Sequence, residues 1–161
     1  MSARDQSHFA AVRRATLADE AAIAALLTAS KLPLDGVHDA LPQFVVAAHG
    51  DEIVGVAGIE ECGTGRNNAL LRSVAVKHEW RGRGLGRALV ASAIELAEEH
   101  GVRTLFLLTT TAERYFPAFG FRETTRDAVP DDVKSTDEFR GACPASATVM
   151  VRERLRSTSS R

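Results

Sequence analysis

This sequence of 161 residues has few cysteines and no long apolar run, and both features restrict the classes of protein to which it can belong. Its two cysteines, Cys62 and Cys143, lack the close spacing of metal ligands and are too few for a disulfide framework. We therefore expect structural, reduced thiols and no metal site. No apolar run approaches the ~20 residues of a membrane-spanning helix. The polar start, from Met1 to Phe9, lacks the apolar core of a signal peptide, so we expect a cytoplasmic protein without a membrane partner.

An excess of charge of either sign is also missing. Twenty Lys and Arg residues face 21 Asp and Glu residues, for a net charge of −1, so the composition gives no broad basic face for nucleic acid. A hydrophobic content of 45% is enough for one domain with a real core. Neither an internal repeat nor a linker interrupts the chain. We expect a single domain over residues 10–152, with flexible termini at 1–9 and 153–161.

Alternating periodicities predict an α/β fold. The expected strands cover residues 12–15, 44–48, 53–59, 70–76, 104–109 and 146–151. The expected helices cover residues 16–31, 84–100, 111–118 and 130–139. Thr16 with Asp19 resembles a capping box at the start of the first helix, and Gly101 stops the second. Strands that alternate with helices in this way are typical of a sheet covered by helices.

The segment Arg-Gly-Arg-Gly-Leu-Gly at residues 81–86 lies between a strand and a helix and predicts an anion-binding loop. Its glycines let a ligand approach the backbone, and the helix that follows adds unpaired N–H groups and the positive end of its dipole. Arg81, Arg83 and Arg87 add charges that suit phosphate oxygens. The alternative is a glycine-rich turn with solvated arginines.

Two common phosphate-binding loops are excluded by the spacing of this segment. A P-loop needs Gly-Lys followed by Ser or Thr, and residues 85–88 read Leu-Gly-Arg-Ala. A dinucleotide fingerprint needs a third glycine where this chain has Arg87 or Leu89. Neither a P-loop NTPase nor a nicotinamide enzyme is therefore expected.

The pattern Arg-x-x-Gly-x-Gly after residues 74–76 resembles the acetyl-CoA pyrophosphate loop of the GNAT N-acetyltransferases. A second segment, residues 112–121, resembles the helix of that family that ends in Gly-Phe. The resemblance implies a central mixed, mostly antiparallel sheet flanked by helices and splayed between its fourth and fifth strands. It also implies acetyl-CoA as co-substrate. The cofactor-binding residues that it implies are Val74, Ala75, Val76, Arg81, Gly82, Arg83, Gly84, Leu85, Gly86, Arg87 and Phe116.

Finer resemblances point to the acceptor. Residues 105–110 and 146–150 are similar to segments of the acetyltransferase domain of N-acetylglutamate synthases. Residues 70–76, 107–111 and 143–150 are closer to the single-domain arsenic-resistance N-acetyltransferases. The implied substrate is the α-amine of a small acidic amino acid, namely glutamate or an analogue such as arsinothricin or phosphinothricin. The implied role is resistance to such analogues.

A charged side chain in the strand over residues 70–76 supports an acidic substrate. Arg72 interrupts a strand that otherwise reads as buried on both faces, and a buried cation needs an anionic partner. That partner is either a substrate carboxylate or arsinate, or an internal carboxylate of Glu60 or Glu61. In a regular strand Ser73 points to the opposite face. The expected substrate-binding residues are Arg72, Ser73, Thr109 and Thr110.

Thr110 has an alternative role, because with Glu113 it forms the pattern of a capping box for the expected short helix.

The catalytic residues depart from the family pattern. By the resemblance, Leu70 stands where many members have a glutamate base, and Phe116 stands where they have a tyrosine acid. Tyr115 is one residue off that position. We expect Val74 to supply the amide that holds the oxyanion, and Glu60 to act as base through a water, or else to pair with Arg72. A thiolate leaving group, with a pKa near ~8.5, needs little help from an acid.

Three functions remain open from the sequence. The first is an acetyl-CoA-dependent amino-acid N-acetyltransferase whose partner is a small molecule. The second is a non-catalytic acyl-CoA-binding module, and the third is a protein or peptide acetyltransferase. A homodimer is compatible with each of them.

Overall fold

A computed structural model describes residues 9–63, 67–142 and 145–153, which form a seven-stranded sheet of order β1-β2-β3-β4-β5-β7-β6. All neighbouring strands are antiparallel except β4 and β5, which are parallel. The fold is therefore the mixed, mostly antiparallel sheet that the sequence predicted. The strands are β1 (Ala11–Arg14), β2 (Phe44–His49), β3 (Glu52–Cys62), β4 (Asn68–Val76), β5 (Thr104–Thr109), β6 (Arg122–Thr124) and β7 (Thr148–Glu153).

Helices cover both faces of the sheet. The α-helices are α1 (Glu20–Ala29), α2 (Val37–Ala40), α3 (Leu85–Glu99) and α4 (Asp131–Lys134). The apolar side of α3 packs on one face, in a core that includes Leu89 and Ala93. On the opposite face, α1 packs with β2, and α4 packs with β5 and β7. No helix among the described residues is long and apolar enough to cross a membrane.

The sheet opens between β4 and β5. These strands pair only over their first residues, from Asn68 with Thr104 to Leu70 with Phe106. Beyond Leu70, the described residues show no pairing between the two strands, so the backbone of residues 71–76 has an unpaired edge on its β5 side. The expected splay is confirmed, and it leaves backbone hydrogen-bonding groups available to a ligand.

A β-bulge interrupts β4 at Ser73. The pairing with β3 shifts between Val56 and Gly58, and Ser73 has a left-handed backbone with a φ of 62°. A bulge of this kind re-aims the side chains that follow it. The regular strand on which opposite faces for Arg72 and Ser73 were conditional is therefore not present here, and Arg72 Nε donates a hydrogen bond of 3.0 Å to Ser73 Oγ.

Three local predictions need correction. The helix expected over residues 111–118 is a turn followed by a 3₁₀ helix, Phe116–Phe119. The helix expected over residues 130–139 is divided into α4 and a kinked segment, Glu138–Ala142. The short edge strand β6 was missed. By contrast, the long helix ends close to Gly101 as predicted, and the Thr16 amide donates to Asp19 Oδ2 at 2.8 Å.

Candidate active site

A cleft of about 700 Å³ lies where β4 and β5 separate. Its walls come from β4, the loop before α3, the end of β5 and the turn that follows, together with residues 30–33 after α1. All of the predicted site residues except Glu60 and Arg83 line this cleft. The elements that the sequence singled out thus meet in one place, at the open edge of β4.

The loop before α3 is shaped by two glycines. Gly82 and Gly84 have φ values of 80° and 82°, in the left-handed region where a side chain is strained. The first hydrogen bond of the helix runs from the Ala88 amide to the Gly84 carbonyl, which leaves the amides of the first turn without partners in the helix. Arg81 and Arg87 are exposed beside these amides. The end of the cleft formed by residues 74–87, hereafter the cofactor end, can therefore bind an anion.

Arg83 does not take part in the cleft. Its guanidinium lies 4.5 Å from the centre of the Trp80 ring and donates to the Glu79 carbonyl at 3.2 Å. Trp80 is buried in the core cluster that contains α3. This contact attaches the loop to the body of the protein, and a cofactor-binding role for Arg83 remains a prediction.

Arg72 lies at the other end of the cleft, hereafter the acceptor end, and its side chain is completely buried. Its Nη1 atom donates to Glu60 Oε1 at 2.7 Å. Its Nε atom also lies 3.3 Å from Glu138 Oε2. One guanidinium is thus shared by two carboxylates and the Ser73 hydroxyl. Of the internal partners that the sequence left open, Glu60 makes the contact, whereas Glu61 pairs with His100 at 2.7 Å.

The threonines at the end of β5 have different roles from those expected for capping. The hydroxyl of Thr109 accepts hydrogen bonds from the amides of Ala112, at 2.9 Å, and of Thr111, at 3.4 Å. Thr109, rather than Thr110, therefore stabilises the turn after β5. Thr110 lines the cleft, where its side chain is available to a ligand.

Tyr115 and Phe116 both line the cleft, but they differ in surroundings. Phe116 is buried and packs edge-on against Phe121, with ring centres 5.8 Å apart. The Tyr115 hydroxyl lies beside Gly86, where a Cβ atom would come within 3.3 Å of it. Burial raises the pKa of Tyr115 above its usual value, with a smaller opposing effect from Arg87. Tyr115 is therefore a neutral hydroxyl in the cleft at physiological pH.

Cysteine chemistry is not a feature of this site. Cys62 is buried, and burial, followed by the charge of Glu60, raises the pKa of its thiol to about 12. Such a thiol is not a nucleophile at neutral pH. Cys143 lies outside the described residues. Within those residues no group of His, Cys, Asp and Glu side chains could hold a metal ion.

Glu138 and Tyr115 both line the cleft, and neither was predicted there from the sequence. Glu138 lies 66 positions after Arg72, and no spacing rule connects the two. Tyr115 was placed off the site on the assumption of a regular helix, whereas its segment is a turn and a 3₁₀ helix. Its being the only tyrosine in the chain was the available signal.

Comparison with known proteins agrees with this geometry. The model of the acetyltransferase (GNAT) family matches residues 12–121. An uncharacterised N-acetyltransferase of Chlorobaculum tepidum is 29% identical over 129 residues, which cover 76% of this chain and 81% of that protein. N-acetyltransferase 8B of Rattus norvegicus is 32% identical over 88 residues, or 50% of this chain and 40% of its own length.

Solved structures share the fold. The N-acetylglutamate synthase of Neisseria gonorrhoeae, complexed with coenzyme A and N-acetyl-glutamate, superposes on 92% of this chain with a TM-score of 0.77 and 23% identity. This chain spans only 36% of that enzyme. The protein Rv2747 of Mycobacterium tuberculosis, in complex with CoA, superposes on 90% of this chain and 99% of its own, with a TM-score of 0.76 and 25% identity.

Proposed function

The chain belongs to the GNAT acetyltransferase family, and from this premise we propose that it transfers the acetyl group of acetyl-CoA to the α-amine of a small acidic amino acid or analogue. The observation that carries the proposal is the cleft itself. It joins the open edge of β4, an anion-binding loop at the start of α3 and an arginine with acidic partners, all within about 700 Å³.

The cofactor end suits acetyl-CoA. The pyrophosphate would lie against the amides at the start of α3, beside the charges of Arg81 and Arg87. The pantetheine arm would pair with the backbone of Val74, Ala75 and Val76 on the side where β5 does not pair, as an added strand pairs with a sheet edge, and Arg81 Nε donates to the Val76 carbonyl there at 3.1 Å. Both solved relatives described above were crystallised with CoA.

The acceptor end suits a small molecule with an acidic group. Arg72, Ser73 and Thr110 line this part of the cleft, and a planar guanidinium binds a carboxylate through two parallel hydrogen bonds. The γ-carboxylate of glutamate, or the arsinate or phosphinate group of an analogue, would bind here. Resistance to such analogues would follow, because acetylation removes the charge of the amine.

Glu60 and Val74 are our candidates for the chemistry. Glu60 lies outside the cleft lining, and we propose that a water carries the proton from the substrate ammonium to its carboxylate. The free amine then attacks the thioester carbonyl, and the Val74 amide donates to the resulting oxyanion. As the C–S bond breaks, CoA leaves as a thiolate, the attacking nitrogen loses its second proton to solvent water to give the neutral amide, and the thiolate takes up a proton from solvent.

A thiol-release assay tests the proposal. Purified protein and acetyl-CoA are mixed in turn with L-glutamate, phosphinothricin, L-glutamine, L-lysine and a panel of peptides. We expect CoA thiol to appear with the first two amines and to be at least about tenfold slower with the neutral or basic ones. Release with peptides alone would identify a peptide acetyltransferase. CoA binding without release on any amine would identify a binding module.

A further inference from the structure

Glu138 contacts Arg72 from outside the sheet. Its side chain is only 6% exposed, it lines the cleft, and its Oε2 atom is 3.3 Å from Arg72 Nε. It belongs to a segment after α4 that is kinked at Gly141, where φ is 137°. Nothing in the sequence had assigned it a role.

The two carboxylates on Arg72 are held very differently. Glu60 is part of β3 and lies opposite Leu70 in the ladder between β3 and β4, so the sheet fixes its backbone. The described residues around Glu138 pair with no strand of the sheet. The sheet therefore allows Glu60 to leave Arg72 by movement of its side chain alone, whereas Glu138 can leave by movement of its side chain or of its whole segment outside the sheet.

We propose that Glu138 occupies the position on Arg72 that the acidic side chain of the acceptor takes in the complex, and that it thereby sets the affinity for acidic acceptors. This inference rests on the proposed function, because it takes Arg72 to be the carboxylate site. Glu138 is then a specificity-determining residue. A carboxylate or arsinate can replace it on the guanidinium, whereas a neutral side chain leaves Glu138 in place.

Because Glu138 is attached to the protein and competes for Arg72, it should weaken the affinity for an acidic ligand by a measurable factor. An attached group acts at an effective concentration in the millimolar range, so the ligand must displace it. The apparent dissociation constant equals the intrinsic constant divided by the fraction of molecules in which Arg72 is available. If that fraction is about one in ten, removal of the Glu138 charge strengthens binding about tenfold.

Glutarate is a probe that separates this inference from catalysis. It carries the carboxylates of glutamate without the amine, so it cannot be acetylated. Its affinity for the CoA-bound protein is measured by calorimetry for the parent chain, for Glu138→Gln and for Glu95→Gln. Glu95, on the exposed side of α3, provides a matched loss of charge away from the cleft. We expect Glu138→Gln to bind glutarate about tenfold more tightly, and Glu95→Gln to be unchanged.

Kinetics give the second readout. In Glu138→Gln, KM for L-glutamate should fall by a similar factor and account for most of the change in kcat/KM. Unchanged or weaker glutarate binding would overturn the inference and leave Glu138 as a structural counterion. If Glu138→Gln does not fold, Glu138→Asp replaces it in the test. Because aspartate has a shorter side chain, this variant should also bind glutarate more tightly than the parent chain. Unchanged or weaker binding in Glu138→Asp would overturn the inference in the same way. Tighter glutarate binding without thiol release on any amine would refute the proposed function alone.

Discussion

The two ends of the cleft are built on different principles. The cofactor end is one continuous stretch, residues 74–87, in which a strand edge leads through a glycine loop into a helix. The acceptor end is assembled from separate parts of the chain, with Pro33, Glu60 and Glu138 around the guanidinium of Arg72. A contiguous site is specified by local sequence, whereas an assembled site depends on the whole fold.

The cofactor end and the acceptor end of the cleft also differ in how their arginines are paired. At the cofactor end, Arg81 and Arg87 are exposed, and Arg81 Nε donates to a neutral acceptor, the Val76 carbonyl, at 3.1 Å. At the acceptor end, Arg72 is buried and already paired with two carboxylates. We therefore expect changes at the cofactor end to alter binding more than folding, and changes at the acceptor end to alter both.

Arg72→Ala is the sharpest test of this difference. Removal of the guanidinium leaves the carboxylates of Glu60 and Glu138 without their shared cation, and breaking a buried pair costs about 3–5 kcal/mol. We expect a clear fall in the free energy of unfolding, measured in urea, and an intact affinity for acetyl-CoA in the folded fraction.

The matched control is Arg122→Ala. Arg122 pairs with Glu153 at 3.5 Å on an exposed surface, and such a pair contributes less than about 1 kcal/mol. Should Arg72→Ala be as stable as Arg122→Ala, the acceptor end would not be a folding element. Loss of glutarate binding in the stable variant would then give Arg72 a role in binding alone.

Gly84→Val tests the cofactor end. Gly84 has a φ of 82°, and a valine there strains the loop by about 1–2 kcal/mol and places methyl groups beside the amides that face the pyrophosphate. Loss of two charge-assisted hydrogen bonds predicts an acetyl-CoA affinity at least about 100-fold lower by calorimetry.

Gly101→Val separates strain from binding. Gly101 ends α3 with a φ of 83°, and a Cβ atom on it, as on Gly84, would meet nothing within 4 Å. Both variants should therefore lose similar stability. Equal acetyl-CoA affinity in the two variants would show that the glycine loop does not bind the pyrophosphate.

Glu60→Gln tests whether Glu60, at the acceptor end, is the general base that removes a proton from the substrate ammonium. Glutamine keeps the shape and can still accept a hydrogen bond from Arg72, but it cannot take a proton from the ammonium. We expect kcat to fall about 100-fold, the lower range of general base catalysis, and the remaining rate to rise with pH as more of the amine is free. Glu61→Gln, the neighbouring residue that pairs with His100, should keep its rate. Equal rates in both variants would exclude Glu60 as the base.

The contrast between the two ends explains what the sequence could predict. Six of the seven strands among the described residues, the long helix and the loop over residues 81–86 were predicted, because each depends on periodicity or on glycine and arginine spacing within a few residues. The partner of Arg72 could be narrowed only to Glu60, Glu61 or a substrate. A buried charge requires a partner, but the sequence does not say from where that partner comes.

The failures have physical causes as well. The bulge at Ser73 was not predicted, because the left-handed backbone that this residue adopts is one that a glycine would have signalled and a serine does not. Glu138 was missed because its segment has no periodicity, and tertiary contacts alone bring it to the cleft. The segment over residues 111–118 is a turn followed by a 3₁₀ helix, and Pro117 lacks the amide hydrogen that an α-helical hydrogen bond at that position needs.

Tyr115→Phe makes the smallest expected change, and it tests a residue whose presence in the cleft was not predicted from the sequence. The hydroxyl lies beside Gly86, at the cofactor end, and burial raises its pKa, so it remains protonated throughout the neutral range. A phenylalanine keeps the ring contacts with Phe116 and Phe119, at 5.2 and 5.4 Å between ring centres, and the fold should be unaffected. Since a thiolate with a pKa near ~8.5 leaves without an acid, we expect kcat to fall less than tenfold, with the same pH profile from pH ~6 to ~9 as the parent enzyme.

A loss of about 100-fold, measured by thiol release at saturating acetyl-CoA, would instead make Tyr115 the proton donor to the departing CoA. The cofactor end would then take part in the chemistry, and the separation between a binding end and a reacting end would no longer hold.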